Sequence, residues 1–317
     1  MKKIINNILK LLLAVAIIYW LIQNGKLDPK SALKLFSNFS VLIPVIALLL
    51  LQIFIASYRW KTLLQIKSEK ITDAKRIFLI QWIGQFFSSA LPGAVTGDII
   101  KLGYVKKMDE SLSRKFLLLS VFLDRLIGLI GLLLISGISS LIFYSDLVNL
   151  SPEMNKIVLI NFLLLMCSLG AIGFFFLSDH FIDKLKRIIK VQKIVDLLER
   201  FKSVKIGKVS FIKLLILSSI SHVLAILAFH LINQDFYESA IRLQDLFTII
   251  PIGQVAIAIP ISPAGLGVGH LAYQKLFSFI NQSNGATLFN NFWILTLMVN
   301  ILGFIPYIFY RTPHKQK

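Results

Sequence analysis

The sequence predicts an all-α polytopic membrane protein: about six full spans plus two re-entrant helical hairpins, arranged as an inverted repeat. Three observations carry that expectation. Hydrophobic residues make up 56% of the 317 residues, and mean hydropathy is +0.76, too apolar for an ordinary soluble domain. Several charge-free stretches reach the length that crosses a bilayer. Two Pro/Gly breaks, at "LPGAVTG" (91–97) and "IPISPAGLG" (259–267), interrupt apolar segments at corresponding places in the two halves.

The basic start and apolar run of "MKKIINNILKLLLAVAIIYWLI" resemble a secretion signal, but no small-residue cleavage site follows. It is read as a retained first span over 4–22. Further spans are expected near 39–57, 116–144, 157–177, 209–231 and 288–310. The single cysteine, Cys167, lies within an apolar run, so an intramolecular disulfide is excluded.

Loop charge orients these spans. Segment 58–76 holds six Lys/Arg against two acids, 97–115 five against three, and 178–208 nine against four. Segments 145–156 and 232–246 are acidic on balance. Short basic loops remain cytoplasmic, which places both termini inside and the protein in the cytoplasmic membrane. The formal charge of +18 is therefore a topology signal with attraction to anionic lipid, and not a nucleic-acid footprint.

Residues 77–96 then have cytoplasmic flanks on both sides, so hairpin 77–107 enters and leaves on one face. Pro92, Gly93 and Gly97 supply its turn. Hairpin 245–281 dips from the other face, with Pro260, Pro263, Gly265 and Gly267 at its turn. Gly84-Gln85 precedes the first break and Gly253-Gln254 the second, at nearly equal distances. The halves are 1–150 and 151–317, the second carrying the charged cytoplasmic linker 178–208, whose apolar faces suit a membrane surface. Three full crossings per half make the second half inverted, a pattern that points to a transporter-like site between the repeats. The alternative is two unrelated Pro/Gly kinks.

Asp98 and Lys101 are three apart where a helix leaves the first break, so they share a face. That helix start favours an anion, and Lys101 adds charge for phosphate. Asp98 could instead cap the helix, bind a cationic head group, or pair with Arg59 or Arg125. Asp124 and Arg125 lie about two turns inside a long apolar helix, where charge usually faces a cavity. Arg125 could also snorkel, and Arg59 could be a simple topology anchor. His222 and His230, eight apart on one span, have no neighbouring carboxylates and make a poor metal site. His270 follows the second break and could serve a proton-linked step. "SPAGLGVG" lacks the Lys-Ser/Thr ending of a phosphate loop. No nucleotide fingerprint, catalytic triad, metal site or cofactor site is expected.

"RWKTLL" (59–64), "LPGAVTGDIIK" (91–101), "DRLIG" (124–128) and "ISPAGLGVGH" (261–270) together resemble the membrane region of lysylphosphatidylglycerol synthases, also described as flippase-like integral membrane proteins. The resemblance covers nearly the whole chain. It implies a helical protein that moves a phospholipid or polyprenyl-linked lipid across the membrane, or holds it for modification. His270 stands where the family usually has Glu, and Thr96-Gly97-Asp98 with Lys101 where Gly-Gly-Asp with Arg is common. Only seven residues follow Tyr310, so the synthases' soluble aminoacyl-transfer domain is absent from the expected architecture. The leading expectation is thus a non-enzymatic translocator of an anionic or aminoacylated phospholipid or polyprenyl lipid. Arg59, Lys101 and Arg125 would meet phosphate, and Asp98 and Asp124 would order those cations. The alternatives are a membrane component of a lipid-modifying transferase, and a scaffold that docks a separate soluble enzyme through the linker.

Overall fold

The computed structural model describes residues 38–90, 95–176, 204, 206–236, 241–258, 265 and 267–310. The expected first span 4–22, most of the linker 178–208, and Pro92, Gly93, Pro260 and Pro263 lie outside the described residues. Among the described residues the secondary structure is helical throughout.

The first helix, α1 (Phe39–Leu64), begins where the Asn38 side chain accepts from the Ser40 N–H at 3.1 Å. It extends seven residues past the expected end at 57 because "RWKTLL" continues an apolar stripe through Trp60, Leu63 and Leu64, all buried. Helices α2 (Ala74–Ala90) and α3 (Thr96–Met108) come next. They run antiparallel, since Gly84 abuts Gly97 while Gln81 meets Lys101. A Cβ at Gly97 would overlap the Gly84 carbonyl oxygen and Ser88 Oγ, so glycine there lets the two helices touch backbone to backbone.

Helix α4 (Arg114–Ile142) starts at an N-cap, Ser113, whose hydroxyl accepts from the Phe116 N–H. A short α5 (Tyr144–Val148) leads to α6 (Pro152–Phe176). Beyond the linker come α7 (Lys208–Phe236), α8 (Leu243–Ala258), α9 (Val268–Ser278), α10 (Gly285–Ile301) and α11 (Phe304–Phe309). The α8–α9 pair is a second antiparallel hairpin: Gly253 abuts the Tyr273 ring, and Gly265 abuts Ile257 nearer the turn. Gly265 and Gly267 have φ of +74° and +79°, the left-handed region that glycine enters without strain.

Among the described residues five helical stretches are long and apolar enough to cross a bilayer: Phe39–Leu64, Arg114–Ile142, Pro152–Gly173, Lys208–Gln234 and Gly285–Phe309. They coincide with five of the six expected spans. The hairpin helices have 17, 13, 16 and 11 residues, each short of the roughly 20 that a crossing requires.

Packing joins helices from both ends of the sequence. Helix α1 lies along α7, α2 packs on α10, and α8 packs on α4. Each hairpin is therefore held by a helix remote from it in sequence, α10 for the first and α4 for the second. The largest core joins α1, α7, α8, α9 and α10 around a ring stack in which Tyr273 lies between Phe229 and Phe289, at 5.3 and 5.0 Å. Buried hydrogen bonds pin α4 to α6, with Ser136 Oγ donating to Asn161 Oδ1 at 2.5 Å and Asn161 Nδ2 donating to Ser140 Oγ at 2.7 Å. Small-residue, hydroxyl-rich contacts of this kind hold helices together where lipid removes the hydrophobic drive.

Candidate functional site

Five charges from three separate stretches of the sequence converge between α1, α2, α3 and α4. Arg59 and Asp124 form a bidentate pair, Nε to Oδ1 at 2.7 Å and Nη2 to Oδ2 at 3.0 Å, and both residues are buried. The planar guanidinium matches the carboxylate fork, which offsets the cost of taking two charges out of water. Arg59 is thus no open topology anchor. The next helical position turns about 100° away, so Arg125 points elsewhere. Its Nη2 donates to Asp98 Oδ2 at 2.5 Å.

Asp98 also receives Lys101 Nζ at 2.9 Å. The capping alternative fails: Val95 is the N-cap of α3, and the Asp98 carboxylate serves the two cations. Lys101 is the more enclosed of those cations. Its ammonium donates to Gln81 Oε1 at 3.2 Å and sits 4.5 Å from the centre of the Trp60 ring. The Trp60 indole in turn donates to Ser120 Oγ at 3.1 Å.

Around these groups lies a cavity of about 160 Å³, completed by Gln85 and Ser88. A second cavity, of about 200 Å³, lies between α1, α2, α7 and α10 and shares Ala56 and Gln85 with the first. Arg125 is the outward member of the cluster, its side chain 53% exposed. Its neighbours along α3 and α4 are exposed apolar residues: Val95, Ile99, Leu118 and Phe122.

The family model for the lysylphosphatidylglycerol synthase TM region matches residues 7–303. The chain belongs to that family. No curated protein gives a significant match. As a member of the family, it is a multi-pass helical membrane protein in a lipid-related setting.

The other singled-out residues lie apart. His270 lines neither cavity. It caps α9, its Nδ1 facing the Gly267 N–H at 3.4 Å and its ring edge-on to Phe289. Its Nε2 lies 3.4 Å from Asn290 Oδ1. Gly97 closes the α2–α3 contact beside the cluster, whereas Gly265 and Gly267 shape the other hairpin. His222 bridges helices, with Nε2 3.0 Å from the Gly128 carbonyl oxygen and Nδ1 3.0 Å from Gln254 Oε1. His230 Nδ1 is buried without a hydrogen bond. Among the described residues no cluster of three metal-ligating side chains occurs.

Sequence reading missed Gln81, Gln85 and Trp60. The signal was available at Gln85 and Gln254, which served only to register the two breaks. In the fold each glycine of the Gly-Gln pair abuts its own hairpin partner, while each glutamine meets groups beyond that contact: Gln85 the cavities, Gln254 His222 on α7.

Proposed function

We propose that this family member is a lipid translocator that takes a phosphate-bearing head group into the charged cavity and leaves the acyl chains in the bilayer. The observation that carries the proposal is the charge balance of a site enclosed by apolar helices. Arg59, Lys101 and Arg125 face Asp98 and Asp124, three bases against two acids. Among these five side chains positive charge exceeds negative by one, and a monoanionic phosphodiester suits such a balance in apolar surroundings. Asp98 and Asp124 hold the three cations in place, and Arg125 is the group an incoming phosphate meets first.

The exposed Ile99, Leu118 and Phe122 beside Arg125 suit acyl chains, which favours approach from within the bilayer. The short hairpin helices favour re-entrant segments dipping from opposite faces. The packing of α2 on α10 and of α8 on α4 maps onto itself when the halves are exchanged, as an inverted repeat divided near residue 150 requires. In this reading both termini are cytoplasmic, and rocking of one half against the other alternates access. No cofactor takes part.

The test is head-group accessibility in reconstituted vesicles carrying fluorescent phosphatidylglycerol or its aminoacylated form. Wild-type protein is expected to bring inner-leaflet label to an external quencher, and Asp98→Asn or Arg125→Gln to slow this at least tenfold. Equal rates in wild type, both variants and protein-free vesicles would overturn the proposal.

A further inference from the structure

His222 on α7 ties two other helices together through its two ring nitrogens. Nε2 lies 3.0 Å from the Gly128 carbonyl oxygen on α4, and Nδ1 lies 3.0 Å from Gln254 Oε1 on α8. A backbone carbonyl only accepts, so Nε2 carries a hydrogen. The same carbonyl accepts from Ser218 Oγ at 3.1 Å, which fixes that end of the contact.

The Gln254 end is satisfied in two ways. With Oε1 toward the ring, Nδ1 carries a second hydrogen and the ring is an imidazolium. With the amide turned over, its N–H group donates to Nδ1 and the ring is neutral. Both proton states therefore keep both hydrogen bonds. The backbone beside Gln254 is held by the contact of Gly253 with the Tyr273 ring, so the amide is the part that turns.

The charge closest to this contact belongs to the cavity. A Cβ at Gly128 would lie 3.4 Å from Arg59 Nη2 and 3.6 Å from Nη1, so Gly128 borders both the guanidinium and the imidazole. On α4 the ionisable groups nearest Gly128 are Asp124, paired with Arg59, and Arg125, paired with Asp98. On α1, Tyr58 and Lys61 gather with Lys213, which is nine residues before His222 on α7. On α7 itself, His230 stands eight residues beyond His222. On α8 the ionisable residue is Asp245, nine residues before Gln254 and paired with Arg242. The sequence of α10 contains none.

We propose that His222 takes up one proton when a phosphodiester head group enters the charged cavity, so that the second hairpin responds to occupancy beside the first. The inference rests on the phosphate site proposed above and deepens it by naming the ion linked to binding. An imidazolium near Arg59 adds a like charge, and an anion held by the same guanidinium offsets it. The proton comes from solvent and binds Nδ1 as the Gln254 amide turns its oxygen inward. One negative and one positive charge enter together, so the net charge of the site is unchanged. Linkage makes the effect reciprocal: the anion raises the imidazolium fraction at fixed pH, and lower pH tightens the anion.

The experiment is binding of acyl-labelled fluorescent phosphatidylglycerol to the full chain in phosphatidylcholine nanodiscs, between about pH 5.5 and about pH 8, where imidazole titrates. Affinity is expected to rise about tenfold from the alkaline to the acid end, an ordinary size for coupling between two sites. His222→Gln keeps an N–H for the Gly128 carbonyl and an oxygen for the Gln254 amide, and it should flatten this profile. His270→Gln should leave the profile as it is. A second readout uses the wild-type chain: imidazole nitrogen NMR at about pH 7 should show more imidazolium at His222 on adding phosphatidylglycerol, and no change on adding further phosphatidylcholine.

A flat profile in wild type, a profile that survives His222→Gln, or an imidazolium fraction indifferent to phosphatidylglycerol overturns the proton linkage and leaves the phosphate site standing. Binding that ignores Arg125→Gln overturns the phosphate site, and this inference with it.

Discussion

Replacing Asp124 by Leu leaves Arg59 buried without its bidentate partner, and the other carboxylate of the cavity, Asp98, already serves Lys101 and Arg125. Breaking a buried ion pair by removing one partner costs about 3–5 kcal/mol. An unpaired Arg at a helix centre costs about 2.5–3.5 kcal/mol on insertion scales. The two routes agree on a loss of about 3 kcal/mol for Asp124→Leu, and Arg59→Met should lose a similar amount by stranding Asp124. The double variant removes both charges and restores an apolar contact, so its stability should return to within about 1 kcal/mol of wild type.

Equilibrium unfolding of the purified chain in micelles, run as a double-mutant cycle, measures this directly. The vesicle accessibility assay on the same four proteins separates stability from function. The double variant should be stable and inactive, because the site has lost a cation and the group that orients it. A single substitution costing less than about 1 kcal/mol would refute the buried pair, and a double variant with full transport would refute the part assigned to Arg59.

Gly97→Ala should destabilise the α2–α3 hairpin by more than the ~1–3 kcal/mol of ordinary overpacking, because the new methyl meets the Gly84 backbone carbonyl, which cannot swing away; unfolding in micelles would show it. Asn161→Leu strands the Ser136 and Ser140 hydroxyls between α4 and α6 and should cost about 1–2 kcal/mol, with the loss confined to stability and the transport rate per folded molecule unchanged. In the α3–α4 loop, hydrogen bonds from Ser111 and then Ser68 hold the Asp109 carboxyl below its ordinary value of 3.8. A depressed folded pKa contributes stability that is present above that value and lost as pH falls through the depressed one. Wild type should therefore lose stability on acidification below 3.8 by a component that Asp109→Asn lacks, read as the difference between their melting profiles against pH.

Much of the architecture was legible because the bilayer imposes it. Five spans could be read from charge-free length, since a helix that satisfies its own backbone is one of the two structures lipid tolerates. Both breaks were legible in "LPGAVTG" and "ISPAGLG", because proline and glycine change backbone options locally. Asp98, Asp124 and Arg125 stood out as charges in apolar surroundings, each a local anomaly that needs no partner to be noticed.

What sequence alone could not decide was who meets whom. Arg59 and Asp124 are 65 residues apart and Arg125 and Asp98 are 27 apart. Their pairing depends on how α1, α3 and α4 rotate about their axes, and packing across the whole bundle sets those rotations. Gln52, Gln85, Thr296 and Asn300 carry no charge, and a neutral amide or hydroxyl in a span costs too little to announce itself. Only the docking of α2 against α1 and α10 turns these four scattered residues into one chamber. The sequence by itself determined that the chain spans a membrane, where its helices break and which residues are charged within it. The tertiary structure decided which charges pair with one another and which polar groups share a cavity, because those depend on distances of a few ångströms between helices that are remote along the chain.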